Sequence, residues 1–174
     1  MKNPRLFSFI AVAMMTVILY CTPTVAKAQA EKKLAVKDLP AAVAASFHKA
    51  YPHAKIRGAS AEEENGKTYY EVESIDGKVK RDLLYAADGT CVEIEETIAA
   101  AALPNAVSKS LKQEFPRGKI LKAEKVTKDQ TSTYELVVQA GKDRWEVAFD
   151  PTGKVVEKSK RSGKENEAKE RDKD

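Results

Sequence analysis

The sequence predicts an α+β fold made of two tandem repeats, each with one helix followed by a four-stranded antiparallel sheet, the helices packed on one sheet face. Three observations lead to this prediction. Residues 39–93 align with residues 103–157 at a constant shift of 64, with sixteen identities and no insertion. Each copy opens with apolar residues at helical spacing and continues with apolar residues at every second position. A duplicated unit is the simplest explanation of the three together.

The helix of each copy is predicted from apolar residues that recur every four positions. In the first copy they are Leu39, Val43, Phe47 and Tyr51. In the second copy they are Leu103, Val107, Leu111 and Phe115. A proline follows each run, Pro52 or Pro116, and a proline disfavours helical geometry in the residue before it. Both helices are therefore expected to end just before these prolines.

The strands are predicted from the change to a period of two after each helix. The apolar side of the first copy is expected to carry Tyr70, Val72, Leu83 and Tyr85. That of the second copy is expected to carry Tyr134, Leu136, Val138, Trp145, Val147 and Phe149. Gly77 and Gly141 mark tight turns between strands. One face of each sheet should therefore lie under the helix, and the other should face solvent.

Two units of this size are expected to hold together. A domain of about 60 residues buries only about 60% of the surface that its unfolded chain exposes and is marginally stable. The two copies should therefore place their sheets edge to edge or stack their helix layers. The predicted order is a short N-terminal segment at 31–38, a first repeat at 39–96, a linker at 97–102, a second repeat at 103–159, and a disordered, charged tail at 160–174.

Residues 1–30 have the features of a signal peptide. Two basic residues precede an apolar run at 6–20, and the small residues "AKAQA" follow at 26–30. Cleavage is expected after Ala30 or, as a second choice, after Ala28, with an uncleaved N-terminal anchor as the alternative. The apolar run is shorter than the roughly 20 residues of a membrane-spanning helix. The sequence thus predicts a periplasmic or secreted protein with no stable membrane insertion after cleavage.

The charge balance argues against a nucleic-acid partner. The full chain has a formal net charge of +4, but three of its 30 basic residues and none of its 26 acidic residues lie within 1–30. Removal of that segment leaves 27 basic and 26 acidic residues, a net charge of only +1. No basic field for nucleic acid or an anionic membrane surface is therefore expected.

The sequence carries no pattern typical of an enzyme, so no catalytic residue, cofactor or metal site is predicted. His48 and His53 lack the i, i+4 spacing of a helical metal pair. Cys91 aligns with Val155 and is expected to be a small buried apolar residue. No phosphate-binding glycine loop or nucleophile elbow is present. The acidic run at 62–64 is expected in a solvated turn, and whether it binds a cation is left open.

Short motifs in both copies resemble the PepSY-like domain, and more closely its beta-lactamase-inhibitor-like group. They are "LPAAV", "YYEVE" and "ADG" in the first copy, and "LPNAV", "YEL" and "PTGKVVE" in the second. The resemblance covers about residues 37–159. It implies two tandem units of one helix and four strands, and export from the cytoplasm. Related proteins include an inhibitor that grips beta-lactamase with the open face of its sheet, and propeptide domains that restrain secreted proteases.

The solvent face of each sheet is the predicted protein-binding site. In the first copy it is expected to carry Tyr69, Glu71, Glu73, Lys80, Asp82 and Leu84. In the second copy it is expected to carry Thr133, Glu135, Val137, Arg144 and Glu146. A small apolar centre with a polar rim suits a protein interface, and Tyr69 is the expected anchor.

These features predict an exported, non-enzymatic binding module. It is expected to bind or inhibit another exported protein, such as a hydrolase or a protease, through the open face of its sheet. The alternative is a structural or sensory envelope protein that binds small ligands, peptides or cations. The sequence does not identify the partner.

Overall fold

Nine antiparallel strands form one continuous sheet in the computed structural model, which describes residues 32–64 and 66–161. The strands are β1 (Lys32–Leu34), β2 (Lys55–Glu64), β3 (Lys67–Asp76), β4 (Val79–Ala86), β5 (Cys91–Thr97), β6 (Lys119–Lys128), β7 (Thr131–Ala140), β8 (Asp143–Phe149) and β9 (Val155–Lys160). The helices are α1 (Ala41–Ala50) and α2 (Asn105–Glu114). The order of the strands in the sheet is their order along the chain. The predicted signal peptide and residues 162–174 of the predicted tail lie outside the described residues.

The predicted fold class, two repeats that each consist of a helix and a four-stranded sheet, is wrong. β5 pairs with β6 over five register positions, from Glu93 opposite Lys128 to Thr97 opposite Glu124. The described chain is therefore mostly one nine-stranded sheet with two short helices. The physical reason is that β5 and β6 would each leave a row of unpaired N–H and C=O groups at a sheet edge, and pairing them removes both edges. β1, which the sequence did not predict, adds the ninth strand beside β2.

Both helices pack against the same face of this sheet. Direct partners in an antiparallel sheet point to one face, and so do residues two positions apart. Leu83 of β4 lies opposite Ile94 of β5, and Ile94 lies opposite Thr127 of β6. Lys125 is two positions before Thr127 on β6 and lies opposite Tyr134 of β7. The face that carries Leu83 under α1 therefore continues into the face that carries Tyr134 under α2.

Two apolar clusters hold the helices to the sheet. Under α1 the buried residues are Leu39, Val43, Phe47, Ala59, Val72, Leu83 and Tyr85. Under α2 they are Leu103, Val107, Leu111, Phe115, Ala123, Leu136, Val138, Val147 and Phe149. Each fully buried side chain of this size contributes about 1.5–3 kcal/mol of transfer free energy. Helical spacing on α1 and α2 and alternation on the strands place all these residues on the same side.

Two glycines fix the turns after β4 and β8 beneath the helices. Gly89 and Gly153 have φ values of +85° and +86°, which favour glycine. A Cβ on Gly89 would lie 2.6 Å from the carbonyl oxygen of Ala42, and a Cβ on Gly153 would lie 2.6 Å from that of Ala106. Each turn therefore contacts the backbone of its helix directly, and only a residue without a side chain fits there.

Two further features complete the fold. None of the helices in the described part of the chain is long and apolar enough to cross a membrane. Cys91, expected to be buried, is instead exposed at the start of β5, where its Sγ donates to the carbonyl oxygen of Glu93 at 3.4 Å. Its partner in register is Tyr85, which explains its place on the helix side.

Candidate functional site

The sheet face opposite α1 and α2 carries all eleven residues of the predicted binding site. On β3 and β4, Glu71 lies opposite Leu84, and Asp82 lies opposite Glu73. On β7 and β8, Val137 lies opposite Glu146. The two groups share one face because Asp82 pairs with Glu95, Glu95 with Val126, and Val126 with Thr133. We call this surface the open face. The sequence assigned these residues to two four-stranded sheets and left their relative placement open, whereas the structure joins them on one sheet.

The predicted residues differ in how far they reach into solvent. Those that are exposed are Glu73, Lys80, Glu135, Arg144 and Glu146. Those that are half-buried are Tyr69, Glu71, Asp82, Leu84, Thr133 and Val137. Tyr69, the expected anchor, lies on β3 opposite Glu62 of β2 and Ala86 of β4, two strands away from β5 at the seam. The centre of the open face is therefore formed by other residues.

That centre belongs to β5 and β6, which the sequence analysis left out of the site. Glu93 and Glu95 alternate on β5, and Glu124 and Val126 alternate on β6. Glu124 and Val126 are only 8% exposed, although they point away from the helices. The available signal was the repeated acid in "VEIEET", which places Glu93 and Glu95 two positions apart. Treating 97–102 as a linker between two sheets hid the fact that these acids meet β6.

Acidic side chains form a band across the open face. Glu73, Asp82 and Glu95 are direct register partners on β3, β4 and β5. Glu124 lies directly opposite Glu135 on β6 and β7. The series continues across Ala148 of β8 to Glu157 of β9. We call this set the carboxylate band, and its members are Glu73, Asp82, Glu95, Glu124, Glu135 and Glu157. Like charges directly opposite each other destabilise a sheet.

The band changes the titration of its central members. Burial raises the pKa of Glu95 to about 7, helped by the charges of Glu124 and Glu135 and opposed by Lys122. The carboxylate of Asp82 raises it further. Burial also raises the pKa of Glu135, with added repulsion from Glu124 and then from three other acids of the face. At neutral pH the middle of the band therefore carries less negative charge than its number of acids suggests.

Outside this middle, the open face pairs its charges in the ordinary way. Lys128 Nζ lies 2.8 Å from Glu93 Oε2, and Arg161 Nη2 lies 2.6 Å from Glu146 Oε1. Within the band, Glu124 Oε1 lies 2.6 Å from Lys122 Nζ. Ser60 Oγ donates a hydrogen bond to Glu71 Oε2 at 3.2 Å, so one carboxylate oxygen of Glu71 already has a partner within the protein.

The acids do not converge on a point. Within residues 32–64 and 66–161, no three His, Cys, Asp or Glu side chains are arranged to hold a metal ion. The run Glu62–Glu64 ends strand β2, opposite Lys67 to Tyr69, rather than lying in a turn as expected. The carboxylates lie in two rows, one on β3 to β5 and one on β6 to β9, and the rows are offset at the seam, where Glu95 faces Val126 and Glu124 faces Thr97.

Comparison with solved structures finds the same fold in several proteins. A DUF2874 family protein from Bacteroides uniformis superposes with a TM-score of 0.58 at 19% identity, over 70% of this chain and 88% of its own. A protein from Bacteroides eggerthii that is described as periplasmic superposes with a TM-score of 0.59 at 18% identity, over 70% of this chain and 88% of its own. A BLIP-like protein from Bacteroides fragilis superposes with a TM-score of 0.54 at 15% identity, over 68% of this chain and 84% of its own. At these identities the likeness establishes the fold.

A comparison with curated proteins found no match. The family comparison matches residues 26–74 and 68–157 to the beta-lactamase-inhibitor-like, PepSY-like family. These ranges cover well over half of the chain and include α1, α2 and strands β1 to β8 in full. This confirms the resemblance inferred from the sequence motifs. The chain therefore belongs to the beta-lactamase-inhibitor-like, PepSY-like family.

Proposed function

We propose that this protein is an exported, non-enzymatic binding module that contacts another exported protein through the open face. The observation that carries the proposal is the continuity of that face across the seam between β5 and β6. Both described helices lie on the opposite side, so a partner meets an uninterrupted sheet surface. The family is described as beta-lactamase-inhibitor-like, and structural relatives are described as periplasmic or BLIP-like. These descriptions support the class of function.

The dimensions of the open face suit a protein partner. Nine strands at about 4.8 Å spacing give a width of about 38 Å. Six residues of strand give a length of about 20 Å, so the face offers roughly 800 Å². A standard protein interface takes about 800 Å² from each partner. Half-buried Leu84 and Val137 supply apolar contacts within a surface that is otherwise charged.

The proposal is tested by capture with matched surface variants. The chain from residue 31 is immobilised and exposed to an envelope extract of the producing cells. The open-face variant combines Tyr69→Ala, Leu84→Ala and Val137→Ala, which leaves the Ser60–Glu71 hydrogen bond in place. The control combines Lys109→Ala, Lys112→Ala and Gln113→Ala on the exposed side of α2. One captured protein that is retained by the control and lost by the open-face variant is the expected result.

Equal capture by both variants would place the interface elsewhere, and no capture by the wild-type chain would contradict the binding role. Thermal melts of all three chains establish that loss of capture is not loss of folding. Export has a separate test. The intact mass of the exported protein should correspond to a chain that begins at residue 31, or at residue 29 for the second cleavage choice.

A further inference from the structure

Two strands of the sheet, β2 and β9, have counterparts in the other half of the chain that are paired with each other. β9 corresponds to β5, because each pairs with the strand before it through a register shift, between Leu84 and Tyr85 or between Ala148 and Phe149. β2 corresponds to β6, because both run for ten residues at the constant sequence shift of 64. β5 and β6 form the seam. The outer edges of β9 and β2, away from β8 and β3, therefore correspond to the two edges that the seam joins.

The short strand β1 occupies part of the outer edge of β2. Lys33 lies opposite Ser60, and at the seam the positions shifted by 64, Thr97 and Glu124, also lie opposite each other. β1 thus takes the place on β2 that the end of β5 takes on β6, in the same register. It is only three residues long. In the described part of the chain, the last three residues of β2 therefore have no strand on their outer side, whereas their counterparts on β6 pair with β5.

β9 is the last strand of the described sheet, and its outer edge is open. Residues 92–97 of β5 are half-buried at the seam, whereas residues 156–160 of β9 are exposed. The N–H of Arg161 donates to the carbonyl oxygen of Arg144 on β8 at 2.9 Å. Neighbouring residues of a strand direct their backbone groups to opposite sides, so the N–H of Lys160 points away from β8. The outer edge of β9 therefore presents backbone donors and acceptors with which a further strand can pair.

We propose that β9 of one copy of this chain docks on the outer edge of β2 of a second copy, in the register of the seam, and that β1 is the cap that holds this interface closed. The interface uses the edges of the sheet, so it goes beyond the function proposed for the open face. Because the two edges differ, the copies associate head to tail, and every added copy presents a new β9 edge. With β1 in place only three positions of β2 are available, so the wild-type chain is expected to be monomeric.

The register of the seam makes a specific prediction about charge at this interface. It places Glu157 of one copy opposite Glu64 of the second copy, and like charges directly opposite each other are unfavourable. At the seam the position equivalent to Glu64 is Lys128, and its Nζ lies 2.8 Å from Glu93 Oε2. The contact between copies is therefore expected to be weaker than the seam. Glu64→Lys should strengthen it, because this change reproduces the ion pair of the seam.

The test measures the molar mass of the chain from residue 31 by light scattering after size-exclusion chromatography, from about 10 µM to about 500 µM protein. The cap variant replaces Lys32, Lys33 and Leu34 by glycine, which removes the contact of Leu34 with the core and weakens β1 as a strand. Lys160→Pro in the cap variant removes an N–H of the outer edge of β9 and leaves its pairing with β8 in place. Its control is Lys160→Ala, which keeps that N–H but likewise loses the ion pair with Asp143.

The cap variant is expected to exceed the mass of a dimer as its concentration rises, and the wild type is expected to stay monomeric. Lys160→Pro should return the cap variant to a monomer, whereas Lys160→Ala should not. In the cap variant, Glu64→Lys should lower the dissociation constant about fivefold. Asp76→Lys makes the same change of charge at an exposed position outside the edge of β2 and should lower it less than about twofold.

Thermal melts establish that each variant is folded, and Lys32→Gly with Lys33→Gly, which keeps Leu34, replaces the cap variant if the three glycines unfold it. A folded cap variant that stays monomeric would overturn the proposal, and so would association that Lys160→Pro does not reduce. Wild-type chain that associates as strongly as the cap variant would show that β1 is no cap. Association that stops at a dimer and is lost with the open-face variant described above would assign the contact to the open face and overturn the edge interface.

Discussion

Glu135 on β7 lies directly opposite Glu124 on β6, at the centre of the open face. Glu124 is only 8% exposed, and its Oε1 atom lies 2.6 Å from Lys122 Nζ. Two carboxylates in this register repel each other, and the one that is buried has little water to screen it. The ammonium group of Lys122 therefore compensates for a charge that the register places unfavourably.

Lys122→Ala should lower the free energy of unfolding by about 1–2 kcal/mol at pH 8, because it leaves the nearly buried Glu124 without its cation. In a Glu124→Gln background the same change should matter by less than about 0.5 kcal/mol. Urea unfolding of the wild type, the two single variants and the double variant gives the coupling energy between Lys122 and Glu124 directly. Equal losses in the two backgrounds would show that Lys122 acts through its exposed aliphatic part and not through Glu124.

Glu95→Gln should stabilise the protein above pH 7 and leave it unchanged near pH 5. The folded pKa of Glu95, about 7, is above its ordinary value of 4.5. Between these values the folded state holds a proton that the unfolded state releases, so stability decreases as pH rises through this window. Because Glu95 is half-buried and partly screened, the gain above pH 7 should be about 1–2 kcal/mol.

Urea unfolding at pH 5, 6, 7 and 8 measures this difference. Glu63→Gln, at an exposed position outside the carboxylate band, is the control and should follow the wild type at every pH. If the curves of Glu95→Gln and wild type remain parallel from pH 5 to pH 8, Glu95 does not titrate in the way that its surroundings indicate.

Gly89→Ala and Gly153→Ala should each destabilise the protein by about 3 kcal/mol or more, through backbone strain and a clash. The matched controls are Gly77→Ala and Gly141→Ala. All four glycines have positive φ, but nothing lies within 4 Å of a Cβ at Gly77 or Gly141. The controls should therefore lose only the roughly 1–2 kcal/mol of a left-handed alanine. If all four variants lowered the melting temperature by the same amount, the turns after β4 and β8 would not be in direct contact with the helices.

The nine strands should unfold in one transition, because β5 and β6 share backbone hydrogen bonds across the seam. A fragment that ends at Ile98 exposes the edge of β5 and removes α2 with its apolar cluster. It should show a broad, low-temperature melt by circular dichroism. A fragment as stable and cooperative as the full chain would mean that the first half folds independently of the second.

The sequence by itself determined which side of each strand is apolar. Spacing of four on the helices and of two on the strands is a local property of the backbone, so Val43, Phe47 and Leu136 could be assigned to the core from neighbours in the chain. The same alternation placed all eleven predicted site residues on the side away from the helices. The motifs of the repeat also sufficed to identify the family.

Only the tertiary structure decided that β5 pairs with β6 and in which register. The sequence left open whether the two sheets meet edge to edge or through their helix layers, and it did not predict β1, because backbone hydrogen bonds between strands require no particular pattern of side chains. The place of Glu95 at the centre of the open face, opposite Val126, follows from that register, whereas the opposition of Glu124 to Glu135 follows from the pairing of β6 with β7. The carboxylate band is therefore a property of strand pairing: consecutive strands bring its acids opposite each other, and the seam joins the two groups on one face, through backbone bonds that are indifferent to side-chain charge.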